Sequence, residues 1–422
     1  MMKKPVCLLL SLLLAAGISA CGAAEKPAGT GKSAASSESS VPETTAAERP
    51  VINVITDPIP EDNAAGSSET VPAGTPAAEP SEAMSPDAPA AGPSETASAA
   101  PSAAADGTYT ITFAGDILMD PGYAAGSALT ERGAEGCFSA EALALMRDAD
   151  LFVVNNEFAY TTRGTAVSKQ YNFRADPKNA RILTDMGADL VTLGNNHTYD
   201  YGEEGLLDTL EALDQVGVPY IGAGLNQADA ERAMIRTIGD FRISLLNAEI
   251  ILFNANPPAQ TAVGNKPGTF DSYRPELLYD AIRRAKAESD FCIVITHWGS
   301  EGKSTPNEKQ LTVAKGAAEA GADLIIGGHP HVLQGISHLG NMPVCYSLGN
   351  YLFHSGTYDT GVIQAVFRPS EHRLETLRFV PMQCSNMKVS VLSGSEKERL
   401  LNYMRSLSPD VQIDDDGRIL LP

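Results

Sequence analysis

The chain is short of positive charge: 31 Lys and Arg stand against 52 Asp and Glu, a formal net charge of −21. A surface of that sign repels a phosphate backbone, which excludes nucleic acid as a partner and names no substrate. Cysteine is also sparse. Cys7 and Cys21 lie near the start, and the remaining Cys137, Cys292, Cys345 and Cys384 form no CxxC pair. Neither a structural zinc knuckle nor a dithiol redox motif is therefore indicated. Cys292 and Cys345, inside strand-like runs, read as buried packing residues rather than as a bridge. The apolar run near the start, Val6 to Ala16, is short for a bilayer-spanning helix. No internal repeat is present. Histidine is scarce at seven residues, so where those seven fall carries information.

The first quarter of the chain has the form of an export signal and a tether. Lys3 and Lys4 supply a positive start, Val6 to Ala16 the apolar run, and Ile18, Ser19 and Ala20 a small-residue approach to a cleavage site, so residues 1–20 read as a signal peptide. Cys21 follows at once. The Ile-Ser-Ala-Cys order resembles a bacterial lipobox, in which the Cys becomes the lipidated first residue of the mature protein. That predicts an exported protein anchored by lipidated Cys21 to the outer face of the bacterial cytoplasmic membrane. From Gly22 to about Gly107 the chain is dominated by Ala, Pro, Ser, Thr, Glu and Gly, with one apolar interruption at Val51 to Ile55. Such a composition buries too little surface to offset its ordering entropy. Residues 21–107 thus read as a disordered tether whose ends lie roughly 50 Å apart.

Regular structure is expected from residue 108 onward, with 108–393 as the folded domain and 394–422 as a short helix and an acidic tail. Strand patterns occupy Tyr109 to Asp116, Leu151 to Asn155, Leu190 to Gly194, Phe291 to Thr296, Leu324 to Gly327, Val344 to Leu348 and Val362 to Phe367. Helical spacing occupies Phe138 to Ala149, Pro177 to Met186, Glu203 to Val216, Pro275 to Ser289, Pro306 to Ala320 and Glu396 to Ser406. The alternation predicts an α/β fold, a parallel or mixed sheet flanked by helices. The later strands follow one another closely, so a second sheet with antiparallel pairing is expected.

Chemistry concentrates where these strands end. Six short runs, FAGDILMD, NNEFAY, LGNNHTYD, THWGSE, GGHPH and YSLGN, lie between Phe113 and Asn350, and five place a His, Asp, Glu or Asn at the exit of an apolar stretch. Strand ends are held rigidly and converge on one edge, so ligands remote in sequence meet in space. His329 and His331 leave one strand together, two positions apart in an extended turn, and His297 ends another; imidazole is a common donor to zinc, manganese or iron. Asp116 and Glu157 offer oxygen donors suited to bridging two cations, against the commoner job of such residues in caps and turns. Asn196 can ligate a metal through its amide oxygen while His197 moves a proton. Asp200 either orients that imidazole or caps the helix near Gly202. Arg174 either grips a carboxylate or phosphate or forms a structural ion pair. Glu301 and Lys303 either line the cleft or are solvated loop charges. Asn350 and Ser347 either orient ligands or close a tight turn around Gly349. His338, His354 and His372 have no partner at useful spacing.

Gly115-Asp116, Glu157, Asn196-His197, His297 and Gly328-His329-Pro330-His331 come in the order used by calcineurin-like metallophosphoesterases. More narrowly, the runs NNE, NNHTYDYG, HWGSE, GGHPHVLQG and YSLGNYLF resemble the CapA family of capsule-synthesis proteins, associated with poly-γ-glutamate export or anchoring. The similarity covers roughly Thr108 to Cys384. It implies a two-sheet sandwich with flanking helices, four layers in the order αββα, and a site at the sheet edge holding one or two divalent ions, manganese, zinc or iron. Carried over residue by residue, Asp116, Glu157, Asn196, His297, His329 and His331 would be ligands and His197 the proton donor, with Asp200 beside it. Apart from the resemblance, Arg174, Glu301, Lys303 and Asn350 are the candidates for substrate contact, with the alternatives given above. The implied partners are an anionic polymer such as poly-γ-glutamate and a membrane-bound synthase complex. Two departures stand out. The phosphoesterase pattern has a metal-binding His two residues after its first Asp, where this chain has Leu118, and Glu157 stands where phosphoesterases use Asp. These leave open a metal-dependent hydrolase and a non-catalytic assembly subunit with a degenerate site.

Overall fold

The computed structural model describes residues 107–251 and 254–422; the expected signal peptide, Cys21 and nearly all of the expected tether lie outside the described residues. Two sheets face each other, and the period of two along each strand decides what fills the space between them. In the strand Tyr109–Ile117, Tyr109, Ile111 and Phe113 point into the inter-sheet core, where they meet Leu151 and Val153 of Leu151–Asn156. Phe152 and Val154 of that second strand point the other way, into a core shared with helices. Phe291–His297 behaves alike: Ile293 and Ile295 enter the inter-sheet core, while Cys292 and Val294 face the outer helices.

The outer layers follow from amphipathic helices. Gly202–Val216 turns Leu206, Leu210 and Leu213 onto the first sheet. Pro275–Ala287 covers the second with Leu278, Ala281, Ile282 and Ala285, the i, i+3, i+4, i+7 spacing of one helical face. Each such buried Leu or Ile contributes about 2 kcal/mol. Beside it Glu308–Ala320 opens on a capping box between Asn307 and Gln310. The result is the αββα order, with three cores between four layers.

The first sheet runs Lys388–Val391, Arg373–Ser385, Tyr358–Arg368, Tyr109–Ile117, Leu151–Asn156, Leu190–Thr192, Tyr220–Ile221; the last four are mutually parallel. The second runs Ile336–Leu339, Met342–Cys345, Leu324–Gly328, Phe291–His297, Phe241–Glu249, Met234–Ile238, with its central four strands parallel. The carboxyl ends of both parallel sets carry the candidate site.

The expected second sheet with antiparallel pairing is present, the antiparallel pairs lying at its two edges, Ile336–Leu339 with Met342–Cys345 and Met234–Ile238 with Phe241–Glu249. Its centre is parallel, and the 362–367 segment belongs to Tyr358–Arg368, which pairs antiparallel with Tyr109–Ile117 in the first sheet. The strand Phe241–Glu249 and its edge neighbour escaped the sequence reading, although Ile243, Leu245, Leu246 and Ala248 are fully buried. A strand buried on both faces loses the alternation that marks a half-exposed one. The expected C-terminal helix is present as Gly394–Leu407; its Leu400, Leu401 and Met404 join the inter-sheet core, as do Val411, Ile413 and Ile419 of the segment that follows, and Arg418–Ile419 pairs with Arg373–Ser385. All four described cysteines are free and buried. Among the described residues no helix is long and apolar enough to cross a membrane.

Candidate metal centre

Strand register aligns the donors. Asp116 is the Cα partner of Asn155 on one side and of Asn350 on the other, and His297 is the partner of Gly328 and Glu249. Gly328 leaves room for this convergence: a Cβ there would lie 2.9 Å from Asp116 Oδ1. His329 and His331 do not leave the strand extended. Both adopt positive φ, 91° and 58°, conformations that cost about 1 to 3 kcal/mol at non-glycine residues and persist where the surroundings impose them. The strain turns both imidazoles inward.

Six side chains meet as a result. Nε2 of His297 lies 2.9 Å from Asn196 Oδ1, 3.2 Å from His329 Nδ1 and 3.3 Å from Glu157 Oε1. His331 Nδ1 lies 3.3 Å from Asp116 Oδ2, and its Nε2 lies 3.8 Å from the same Glu157 oxygen. Donors tetrahedrally placed about 2.1 Å from one cation are roughly 3.4 Å apart, so these spacings are those of a ligand set. Two groups of three arise, Glu157 with His297 and His329, and Asp116 with Glu157 and His331, and either can hold a metal ion. Glu157 belongs to both.

The donor set fits a cation on a second count. Asp116 and Glu157 are fully buried, yet Glu157 Oε1 has no hydrogen-bond partner among the described residues, and an uncompensated buried charge is costly. Burial, then the Asp116 charge, pushes Glu157 well above the carboxylate range. Burial would raise Asp116 too, but the His331 hydrogen bond and the charges of His331 and His297 hold it below its ordinary value. Burial lowers His297 to about 4 and, aided by the neighbouring imidazoles, takes His329 well below its usual range, so both offer lone pairs at neutral pH. Burial also acts downward on His331, but Glu157 and Asp116 outweigh it and raise that ring to about 10. A cation would take the place of that proton.

His197 stands beside the cluster at the end of a tight turn. Asn195 Oδ1 builds the turn by accepting from the backbone N–H groups of His197 and Thr198. Nδ1 of His197 lies 2.7 Å from Asp200 Oδ2. Of the two readings for Asp200, orientation of the ring is the one observed: the helix at Gly202 has Tyr201 at its cap and no side-chain capping bond. The same Asp200 oxygen accepts from the Phe173 N–H at 2.7 Å. Burial raises Asp200 to about 7 even though the Lys169 ammonium pulls it down. Burial, then Lys169, keeps His197 well below its usual range.

Other expected site residues divide. Asn350 joins the site by accepting from His331 Nδ1 at 2.8 Å, which makes it an orienter of that ring; Ser347 serves the Gly349 turn by accepting from its N–H. Arg174 makes no ion pair among the described residues; its guanidinium lies 4.6 Å above the Tyr201 ring. Glu301 is half-buried and its charge acts on Glu157, His297 and His331. Lys303 is exposed beyond the Gly302 turn and meets this region through its carbonyl, which accepts from Gln334. Leu118 is buried among apolar side chains of the outer core.

Four residues were missed. Asn155 donates to Asp116 at 2.8 Å and to Glu157 at 3.2 Å, holding the carboxylates in place. Asn195 locks Asn155 by donating to its Oδ1 at 3.0 Å. The doubled Asn in NNE and NNH was the available signal. Lys169, from an irregular loop, donates to the Asn196 carbonyl at 2.6 Å and pairs with Asp200; no local pattern marked it. Glu249 ends the missed strand, 4% exposed, opposite Asp271.

Residues 110–355 match the family described as bacterial capsule synthesis protein PGA_cap. The chain is 29% identical to the PGA biosynthesis protein CapA of Bacillus subtilis (strain 168), over 62% of this chain and 68% of that protein. It is 30% identical to the capsule biosynthesis protein CapA of Bacillus anthracis, over 56% of this chain and 58% of that protein. A probable polyglutamine synthesis accessory protein of Mycobacterium tuberculosis is 26% identical over 64% of this chain and 75% of its own length. With a match spanning more than half its length, the chain belongs to the CapA family of bacterial capsule synthesis proteins.

Proposed function

We propose that this is a lipid-anchored, extracytoplasmic protein that handles an anionic capsule polymer, poly-γ-glutamate or a close relative, during synthesis, export or anchoring, through a metal-dependent hydrolase-type site. Membership of the CapA family supports the polymer class. The observation that carries the site reading is the pair of ligand groups sharing Glu157 beside the His197–Asp200 pair.

Asp116, Glu157, Asn196, His297, His329 and His331 would hold the ion or ions. When bound, the metal supplies Lewis acidity toward an oxygen of the substrate and toward water. The remaining work belongs to side chains. With Asp200 engaging Nδ1 of His197, Nε2 is the ring nitrogen through which a proton reaches the departing group, and Asp200 carries the complementary charge whenever the ring is doubly protonated. Asn350 fixes the His331 ring, and Asn155 fixes both carboxylates.

Metal content of the purified protein, followed by turnover of bis-p-nitrophenyl phosphate and of poly-γ-glutamate, tests this. Bound metal with turnover of either supports a hydrolase; metal-free protein with neither activity sinks it. Leu118 favours a second reading, an assembly subunit that holds polymer without cleaving it, because the position of a phosphoesterase ligand is occupied by core packing. Metal binding and polymer binding with no turnover would select that reading.

A further inference from the structure

Phe173 is the hub of a row of rings that runs from the buried cluster to the surface. Its ring lies 4.3 Å from that of His197, 5.7 Å from Phe353 and 5.0 Å from Tyr123. Phe353 in turn lies 4.5 Å from His331. The row therefore touches both the proton-transfer histidine and a ligand histidine. At its outer end Tyr123 and Tyr171 remain 37% and 36% exposed.

Local chain geometry builds this surface. Tyr171 and Phe173 are two residues apart in the loop that leads into Arg174–Ala175, and their rings stack with centroids 6.3 Å apart. The Phe173 N–H donates to Asp200 and the Arg174 N–H to Asp120, which fixes the segment at both positions. Arg174 is exposed, and the Tyr201 ring supports its guanidinium from below.

We propose that Tyr123, Tyr171, Arg174 and Tyr201 form a platform that binds an extended polyanionic chain whose charged groups are separated by methylene spacers, and that Phe173 leads it to the cluster. The choice of polymer and the direction of travel rest on the function proposed above; the platform's own binding is tested separately from any turnover. A protein of net charge −21 has no general attraction for a polyanion, so the contact must be local. Arg174 supplies it with a planar fork that no carboxylate of the described residues occupies, matched to a carboxylate or phosphate. The exposed tyrosines offer rigid apolar faces for the spacers at little entropic cost. A small anion would need only Arg174 and the cluster. Rings continuing beyond that point suit a ligand that continues as well. Single-stranded nucleic acid also stacks on such rings, but its denser charge is opposed by the acidic surface.

Calorimetric titration of the purified full chain with poly-γ-glutamate tests the assignment. The paired substitution Tyr123→Ala and Tyr171→Ala is expected to weaken binding about tenfold. The paired change to Phe, which keeps the faces, should stay within about twofold of wild type. Arg174→Gln should remove part of the salt dependence. Thermal unfolding and metal content of the same samples report that the variants are folded with the cluster intact. Tyrosine-dependent binding in a protein that carries no metal and cleaves nothing supports the platform while removing the hydrolase reading. Absent binding by wild type, full binding by the Ala pair, equal loss in the Phe pair, or tighter binding of oligothymidylate than of poly-γ-glutamate would overturn it.

Discussion

Nζ of Lys169 lies 3.2 Å from Nδ1 of His197, the nitrogen that also approaches Asp200. The ammonium pairs with an Asp200 that is fully buried, so it is the compensating charge for that carboxylate. Lys169→Met is expected to lower unfolding stability by about 2 kcal/mol at pH 7, since removing one partner leaves the other charge buried. It should also raise the pKa of His197, because the lysine charge acts to lower it. Denaturant titration and NMR titration of the ring check both; a stability change under about 0.5 kcal/mol would mean that Asp200 is compensated by something else.

His329→Ala is expected to abolish metal uptake at the group it shares with Glu157 and His297. Glu157→Gln should impair both groups, and His331→Ala only the group containing Asp116. Elemental analysis after dialysis against manganese, zinc or iron reads these outcomes. Wild-type stoichiometry in the His329 variant would mean that the ligand set is wrongly drawn.

Asp271, opposite Glu249, is pushed by burial from an ordinary 3.8 to about 7. A carboxyl raised in the folded state holds a proton that the unfolded chain releases. Its contribution is therefore complete below about pH 4 and is lost as pH climbs through 7. Asp271→Asn keeps an oxygen to accept from Gln260 and cannot ionise. The variant is expected to exceed wild-type stability by about 1 to 3 kcal/mol at pH 8 and to converge with it near pH 4. A difference that stays constant with pH would show that Asp271 does not titrate in this range.

Cys21→Ser is expected to move the protein from the membrane fraction to the soluble fraction, because a lipidated Cys21 would be the anchor. Unchanged sedimentation with membranes would contradict lipidation.

Most donors were legible because each follows an apolar run that reads as a strand: Asp116, Glu157, His297 and the His329–His331 pair all sit at such exits. Asp200 was legible only as two alternatives, since an Asp three residues after a His serves equally as orienter or cap until the neighbouring backbone is known. The strand ending at Glu249 was not legible, because burial on both faces removes the alternation that marks strands.

The order of apolar and polar residues along the chain was enough to determine the α/β class and the strand exits where chemistry gathers, because secondary structure period and strand exits are local properties. Tertiary structure alone decided that Lys169 reaches His197, that Asn350 orients His331, that Glu157 belongs to both ligand groups and that Phe173 joins them to the surface. Those relationships are contacts between segments remote in sequence. Their distances depend on how two twisted sheets and one irregular loop come to rest together, and no local pattern carries that information.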